Sequence, residues 1–330
     1  MTAVAGSLLD EIERLEAALR DGPNLSLERE LVATRHRAFA ELVPAQRETP
    51  EPFAPQPFET MPVSVADLPV VSGKDLDVNF LRASLATHGC VIVRGLIDAD
   101  TVSTLRDGVD RTLDAFDARQ AGEADEESAP YFTPFTPDEG RYRIGGRKFM
   151  RESGGVWAVD SPRMLFAFTE LLRTTGIRDL VEAYLGERPV LSANKCNLRR
   201  VPVTTSTNWH QDGAFLGREV KSLNLWLALG ACGVDAPGLD IVPRRLSHLV
   251  ETGTEGAMFD WSVSPAKVAE AAGQAPVLSP EFEAGDALFF DHLFLHRTGV
   301  TPSMTKERHA IESWFFAASS YPEGQIPVVL

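Results

Sequence analysis

The chain has 330 residues, of which 44% are hydrophobic and 24% charged, and its formal net charge is −15. This length accommodates one large globular domain with insertions, or two ordinary domains. The negative charge excludes nucleic acid or an anionic membrane as the main partner, because both repel an acidic surface.

Three cysteines, Cys90, Cys196 and Cys232, stand at unrelated spacings. They therefore form neither a disulfide framework nor a zinc site, and their scarcity is typical of a reducing compartment. The N-terminus lacks a basic segment followed by an apolar one, and no run reaches the roughly 18 apolar residues that cross a membrane. We expect a cytoplasmic protein that is a monomer or a homodimer.

Residues 1–62 are predicted to form a helical extension and a linker. Apolar residues recur at helical spacing over residues 8–19, and Gly22-Pro23 ends that pattern. A second amphipathic helix is predicted over residues 26–47, and the prolines of residues 49–62 favour an extended linker. The extension has no cluster of reactive side chains, so we expect it to pack against the main domain or to dimerise.

The main domain is predicted to span residues 63–330. A helix over residues 75–87 leads into the apolar, β-branched run 89–96, which is typical of a buried strand. A helix capped by Asp98 or Asp100 follows.

Residues 121–160 are predicted to form a substrate lid that bears an anion clamp. The segment is rich in aromatic residues, glycine and arginine, and guanidinium groups suit carboxylate or phosphate. The residues that we expect to contact a substrate there are Tyr142, Arg143, Arg147 and Trp157. A solvated hairpin whose basic residues balance the acidic run 121–128 is the alternative.

After two helices within residues 161–186, the pattern changes to short runs of β-branched and aromatic residues between turns. Such spacing favours an antiparallel sandwich or barrel over a parallel sheet. The fold class is therefore mainly β with flanking helices (α+β), with a helical insertion near residues 266–272. The predicted strands are 189–193, 196–203, 207–215, 222–229, 239–242, 287–290, 293–298 and 308–317.

His210 and Asp212 stand two residues apart in Trp209-His210-Gln211-Asp212-Gly213. On an extended strand their side chains share one face, so an imidazole and a carboxylate converge. These are two of the three ligands in the facial site of non-haem Fe(II) enzymes, which leaves other coordination positions open. The pair alone is a weak signal, and Gln211 is predicted to face away from it.

His296 is the candidate third ligand, on a later strand of a barrel in which the two histidine strands can face each other. Thr298 shares its face, and Arg308 follows twelve residues after His296. Strict alternation turns Arg308 and Glu312 inward on the last strand, and a buried arginine is costly unless it binds an anion. His292 competes for the ligand role but lacks the Thr-Gly that follows His296.

Several motifs occur together, in this order: the run 89–98, Trp209-His210-Gln211-Asp212-Gly213, the run 225–229, the run 238–243, Ser247-His248, Gly285-Asp286, His296-Arg297-Thr298-Gly299 and Arg308. Over about residues 85–318 the chain resembles the phytanoyl-CoA dioxygenase family of Fe(II)/2-oxoglutarate-dependent oxygenases. It departs from the family at Arg244-Arg245-Leu246, where a glycine usually precedes Ser-His.

The resemblance implies a double-stranded β-helix, the jelly-roll fold of cupins. It implies that His210, Asp212 and His296 bind iron.

The resemblance also implies that Arg308 and Thr298 bind the far carboxylate of 2-oxoglutarate and that Trp226 lines its pocket. A polar residue of the strand before the metal often touches the co-substrate, and Asn197 and Arg199 are the candidates.

The expected reaction is oxidation of a C–H bond of a small molecule by O2, with release of succinate and CO2. Hydroxylation is the default because Asp212 occupies the position that a halide would need, while desaturation, cyclisation or epimerisation stay open. The expected substrate is a small molecule such as a secondary metabolite or a carboxylate-bearing compound. A metal-dependent hydrolase or isomerase that does not use 2-oxoglutarate is the alternative function.

Overall fold

The computed structural model describes residues 7–42, 68–137, 142, 144–204 and 208–330. The predicted linker 49–62 and the candidate Arg143 lie outside these ranges. None of the helices described is long and apolar enough to cross a bilayer. The helices are α1 (Leu8–Arg20), α2 (Leu25–Leu42), α3 (Val78–His88), α4 (Ala99–Ala121), α5 (Arg147–Glu152), α6 (Pro162–Thr174), α7 (Ile177–Leu185), α8 (Gly213–Leu216) and α9 (Pro265–Ala272).

The strands form a large sheet and a small one. The large sheet has the order β1-β2-β7-β5-β9-β4-β10 with β3 beside β4, and the small sheet pairs β6 with β8. Pairing is antiparallel except between β1 and β2. The strands are β1 (Val70–Ser72), β2 (Cys90–Arg94), β3 (Gly155–Trp157), β4 (Pro189–Val201), β5 (Ser222–Ala228), β6 (Gly238–Ile241), β7 (Ala287–Phe290), β8 (His296–Gly299), β9 (Arg308–Ala317) and β10 (Pro327–Val329).

The large sheet is buried on both faces, which explains why its central strands are apolar throughout. In β5, Leu223, Leu225 and Leu227 pack into the core shared with α3, α4, α6 and α7. Trp226 and Ala228 point the opposite way, into the core beneath the small sheet. This two-sheet architecture with flanking helices confirms the predicted jelly-roll class.

Helices α1 and α2 pack against the rest of the chain beside β10 and α6. Arg35 of α2 is buried, ion-paired with Glu16 of α1, and donates a hydrogen bond to the Val329 carbonyl at 2.5 Å. Glu28 forms an ion pair with Arg163 of α6. The N-terminal segment that the structure describes thus contains two helices, and these contacts join them to β10 and α6.

Candidate metal and co-substrate site

His210 lies beside His296, the first residue of β8. They form an isolated bridge in which each backbone N–H donates to the other's carbonyl, at N–O distances of 3.0 and 3.1 Å. Their ring centroids are 4.5 Å apart. We expected their strands to face each other across the barrel, and that expectation is wrong, because direct cross-strand pairing brings the rings together.

Asp212 lies on a helical turn and not on the predicted strand 207–215. Its φ and ψ are −62° and −23°, and α8 begins at Gly213. The turn packs tightly, since a Cβ at Gly213 would lie 2.7 Å from the Leu249 side chain and 3.0 Å from the His292 carbonyl oxygen. A larger residue would push the carboxylate away from the histidines, so the convergence depends on this turn and not on strand alternation.

The two imidazoles and the carboxylate form one cluster. Their candidate ligand atoms all lie within 4.8 Å of one another, and His296 Nε2 is 3.7 Å from Asp212 Oδ2. The His210 Nδ1–H donates to the Asn208 carbonyl at 2.8 Å, and the His296 Nδ1–H donates to the Phe294 carbonyl at 3.1 Å. A carbonyl only accepts, so each ring carries its proton on Nδ1 and keeps the Nε2 lone pair for a metal.

Burial, followed by the neighbouring His210, lowers the pKa of His296 to about 4. The ring is therefore neutral near pH 7, as a metal ligand must be. His292, the competing histidine, has both ring nitrogens engaged: Nδ1 accepts from the Ser222 hydroxyl at 2.8 Å and Nε2 donates to the Arg218 carbonyl at 3.0 Å. Those bonds commit His292 to a structural role.

Gln211 faces away from the metal cluster, as expected, and fixes the loops behind it. Its Nε2 donates to the Leu293 carbonyl at 2.6 Å and to the His248 carbonyl at 3.1 Å, while its Oε1 accepts from the Val250 N–H at 2.6 Å. These bonds join the segment that carries His210 and Asp212 to two other loops.

The metal cluster opens into a cavity of about 360 Å³ between the two sheets, which we call the central cavity. It is lined by Phe149, Met150, Ser153, Lys195, Asn197, Arg199, His210, Asp212, Phe215, Asn224, Trp226, Leu239, Trp261, Phe290, His296, Thr298, Glu312 and Trp314. The predicted residues Asn197, Arg199, Trp226 and Thr298 are thus brought to the same cavity as the metal cluster.

Arg308 lies at the end of the central cavity where β9 meets β6. Its side chain is 1% exposed. It donates to the Gly238 carbonyl at 2.9 Å and to Glu312 Oε1 at 3.4 Å, and its guanidinium carbon is 5.4 Å from the Trp226 ring centroid. Glu312 and Trp226 both line the cavity, so Arg308 reaches the cavity wall through them.

Glu312 stands between two guanidinium groups. Its Oε2 accepts from Arg199 Nη1 at 3.2 Å and from Asn197 Nδ2 at 3.3 Å, opposite the bond from Arg308. Burial alone would raise the pKa of Glu312, but Arg199, Arg308 and Asn197 together outweigh it and hold the pKa below its ordinary value. The cavity wall therefore carries an ionised carboxylate as well as two arginines.

Several buried polar atoms of this wall have no hydrogen-bond partner within the described ranges. Three of them are donors: Arg199 Nε, Trp226 Nε1 and Arg308 Nε. Leaving a buried polar group unsatisfied costs roughly 1–3 kcal/mol, so such a group in a native protein calls for an explanation. Converging donors of this kind fit an anionic ligand.

Of the predicted substrate contacts, the three that the structure describes, Tyr142, Arg147 and Trp157, do not line the central cavity. The Arg147 side chain binds Asp160 through two hydrogen bonds, at 2.7 and 2.9 Å, and donates to the Phe135 carbonyl. Tyr142 packs edge-on against His36, and Trp157 is buried in β3. Arg147 is thus committed to a buried carboxylate, which explains its charge without a ligand.

The segment 147–153 does border the cavity, through Phe149, Met150 and Ser153. Sequence reasoning did not assign Lys195, Phe215 or Trp261 to the site. Lys195 lies between Leu191 and Cys196, where the register of β4 with β9 shifts, and it lines the cavity two residues before Asn197. Alternation does place Trp314 on the inward face of β9, so that residue was predictable.

Solved structures share this architecture. EctD from S. alaskensis, in a structure with 2-oxoglutarate and 5-hydroxyectoine, is 15% identical and matches at a TM-score of 0.52 over 73% of this chain and 76% of that chain. Its structure with bound Fe is 14% identical and matches at 0.50 over 73% and 77%. At this identity the likeness shows a common fold.

The epimerase SnoN, in complex with Fe3+, alpha ketoglutarate and nogalamycin RO, is 19% identical and matches at a TM-score of 0.44 over 72% of this chain and 83% of that chain. A search with the sequence finds no match among curated proteins. The family model described as phytanoyl-CoA dioxygenase (PhyH) matches residues 85–310, more than half of the chain. The resemblance drawn from the motifs is confirmed: the chain belongs to the phytanoyl-CoA dioxygenase family of Fe(II)/2-oxoglutarate-dependent oxygenases.

Proposed function

We propose that this protein binds Fe(II) through His210, Asp212 and His296 and uses 2-oxoglutarate and O2 to hydroxylate a small molecule. The observation that carries the proposal is one cavity in which a histidine–aspartate–histidine cluster lies near buried N–H donors that have no hydrogen-bond partner among the described residues. The solved relative EctD, which was crystallised with Fe and with 2-oxoglutarate, supports the same pairing of ligands.

The donor set fits iron on its chemistry. Two neutral imidazoles with free Nε2 atoms and one carboxylate are the ligands of the facial site in non-haem Fe(II) oxygenases. The carbonyls of Asn208 and Phe294 hold each ring in the required tautomer. A site of this kind leaves three coordination positions for the co-substrate and O2.

The donors beside Arg308 fit the far carboxylate of 2-oxoglutarate. Arg308 and Thr298 would bind that carboxylate, and Trp226 would close the pocket over it. Arg199 and Asn197 add a second cation and an amide from β4. Hydrogen bonds to a carboxylate would satisfy the buried N–H donors that lack a partner. Such charge-assisted bonds are about twice as strong as neutral ones, so they would also fix the orientation of the diacid.

Iron with 2-oxoglutarate supplies the oxidation of a substrate C–H bond, with release of succinate and CO2. The side chains of this protein hold and enclose the reactants. Trp226, Phe290 and Trp314 supply apolar surface to the cavity wall. Asp212 fills the ligand position that a halide would take in a halogenating relative, which favours hydroxylation.

A hydrolase or isomerase that does not use 2-oxoglutarate would need only the metal and its water. It would give no reason for the unsatisfied donors around Arg308.

Anaerobic calorimetric titration of 2-oxoglutarate separates these alternatives. We expect one molecule to bind per chain when Fe(II) is present and much weaker binding when the metal is removed.

Arg308→Met should weaken that binding by roughly 30- to 100-fold, because it removes a charge-assisted anchor worth about 2–3 kcal/mol. Asp212→Ala should abolish the dependence on metal. The matched control is Arg297→Met, since Arg297 pairs with Asp240 and leaves the cavity lining unchanged. Failure of the wild type to bind 2-oxoglutarate with Fe(II) would refute the proposal.

A further inference from the structure

Lys195 is a cation of the central cavity without a polar partner. Its side chain donates no hydrogen bond and forms no ion pair with any residue that the structure describes. Its Nζ lies 4.0 Å from the centroid of the Phe215 ring. Burial lowers the pKa of Lys195, and the charges of Asp212 and Glu312 only partly oppose that effect.

The strand register separates Lys195 from the Arg308 end of the cavity. Arg308 pairs with Val201 and Glu312 with Asn197, so Lys195 lies farther along β4 in the direction of Trp314. The Arg308 guanidinium reaches Glu312 at 3.4 Å, and Asn197, the cross-strand partner of Glu312, stands two residues from Lys195. In the proposed function, the far carboxylate of 2-oxoglutarate pairs with Arg308 and its other end with the metal, which leaves Lys195 for an anionic group of the substrate.

The mouth of the cavity beside Lys195 is apolar and aromatic. Phe149, Phe215 and Trp261 line the cavity and are 73%, 39% and 40% exposed. Phe259 stacks on Trp261 with centroids 5.2 Å apart and planes 9° apart, and Met258 is also exposed. A soluble protein seldom gathers exposed aromatic rings without a ligand for them.

We propose that the substrate is a flat aromatic small molecule bearing one carboxylate, with the carboxylate paired to Lys195 and the ring system lying against Phe215 and Trp261. The assignment rests on the proposed function, in which the Arg308 end of the cavity takes 2-oxoglutarate. Aromatic rings gain from offset or edge-on contact with other rings, and a partly buried ammonium gains from a carboxylate. One ligand of this class offers a carboxylate to Lys195 and a ring to the exposed aromatic side chains of the mouth.

Binding of matched probes tests the assignment. The protein is loaded anaerobically with Fe(II) and saturating 2-oxoglutarate, and calorimetry measures the affinity of 2-naphthoate, its methyl ester and decahydro-2-naphthoate. We expect 2-naphthoate to bind at least about tenfold more tightly than either of the other two. Lys195→Met, which keeps the aliphatic stem, should reduce the preference for acid over ester to near unity, and Lys195→Arg should retain it.

The control is Lys148→Met, an exposed lysine of the predicted anion clamp that lies 3.9 Å from Glu152. It should leave the acid preference unchanged. Trp261→Leu should weaken acid and ester alike. If Lys195→Met does not fold, Lys195→Gln replaces it. The ratio of acid to ester affinity in the wild type tests the proposal without any variant.

Equal binding of acid and ester by the wild type, or binding of neither, would overturn the assignment. So would an acid preference that survives in Lys195→Met. Equal binding of the saturated acid would overturn its aromatic part. Because 2-oxoglutarate binding is measured first, a protein that binds 2-oxoglutarate but fails these tests refutes the substrate class and leaves the proposed function standing.

Discussion

Glu312→Gln isolates the carboxylate that stands between the two arginines. The substitution keeps the shape of the side chain and removes its charge, so Arg199 and Arg308 lose their shared counter-charge. Removing one partner of a buried pair costs about 3–5 kcal/mol. Because the Glu312 side chain is 22% exposed and solvent screens part of the charge, we expect the free energy of unfolding to fall by about 2 kcal/mol.

The same substitution should strengthen 2-oxoglutarate binding. In the wild type, the far carboxylate of 2-oxoglutarate approaches Arg308 next to a like charge, and a few ångströms of separation in a partly buried site makes that repulsion appreciable. We expect roughly tenfold tighter binding to Glu312→Gln, equivalent to about 1.4 kcal/mol. Saturating 2-oxoglutarate should therefore restore much of the lost stability, since a ligand stabilises the state that it binds.

The assay is denaturant unfolding with and without 2-oxoglutarate, together with calorimetric titration of the Fe(II)-loaded protein. Glu270→Gln is the control, because Glu270 forms an exposed pair with Lys267 at 3.1 Å and should change neither quantity measurably. Unchanged stability would mean that Glu312 does not hold the arginines. Weaker 2-oxoglutarate binding would mean that Glu312 assists the anchor and does not compete with it.

Three further predictions concern residues outside the co-substrate wall. Gln211→Ala should lower the free energy of unfolding by about 2–4 kcal/mol, because three hydrogen bonds to buried backbone are lost. Denaturant unfolding measures this free energy, with the exposed Gln120→Ala as the control. A loss no larger than that of the control would contradict the prediction. Burial lowers the pKa of His292 below 6.5, so the unfolded state binds more protons and the stability of metal-free protein should fall as pH drops below about 6.5. His292→Gln should flatten that part of the stability–pH curve, and an identical slope would refute the reasoning. Arg147→Met should lower the free energy of unfolding by about 2 kcal/mol, because buried Asp160 loses its ion-pair partner. Calorimetry should show unchanged affinities for 2-oxoglutarate and 2-naphthoate. A loss of either affinity would show that Arg147 acts as an anion clamp.

The sequence predicted the chemistry of the site better than its geometry. His296, Thr298 and the inward alternation of β9 follow from motif order and strand period, and the structure brings them to one cavity. Asp212 was assigned to a strand because two-residue spacing suggests one. The close packing behind Gly213, which imposes a helical turn there, arises from tertiary contacts that no local pattern encodes.

On the substrate side of the cavity, too, the sequence indicated the residue types but not all of their contacts. The arginines of residues 141–151 suggested an anion clamp, but the partner of Arg147 is Asp160, thirteen residues along the chain. Lys195 stands two residues before Asn197, so the alternation that put Asn197 and Arg199 on one face assigns Lys195 to the same face, and this residue was predictable. Pairing between distant charges is decided by the assembled sheet.

The most direct test of the central claim is the visible absorption spectrum of the protein with Fe(II) and 2-oxoglutarate under anaerobic conditions. Chelation of 2-oxoglutarate by iron held at His210, Asp212 and His296 should produce a weak charge-transfer band that needs both components. The band should be lost in His296→Ala and weakened in Arg308→Ala. A wild-type spectrum without that band at saturating 2-oxoglutarate would contradict the account.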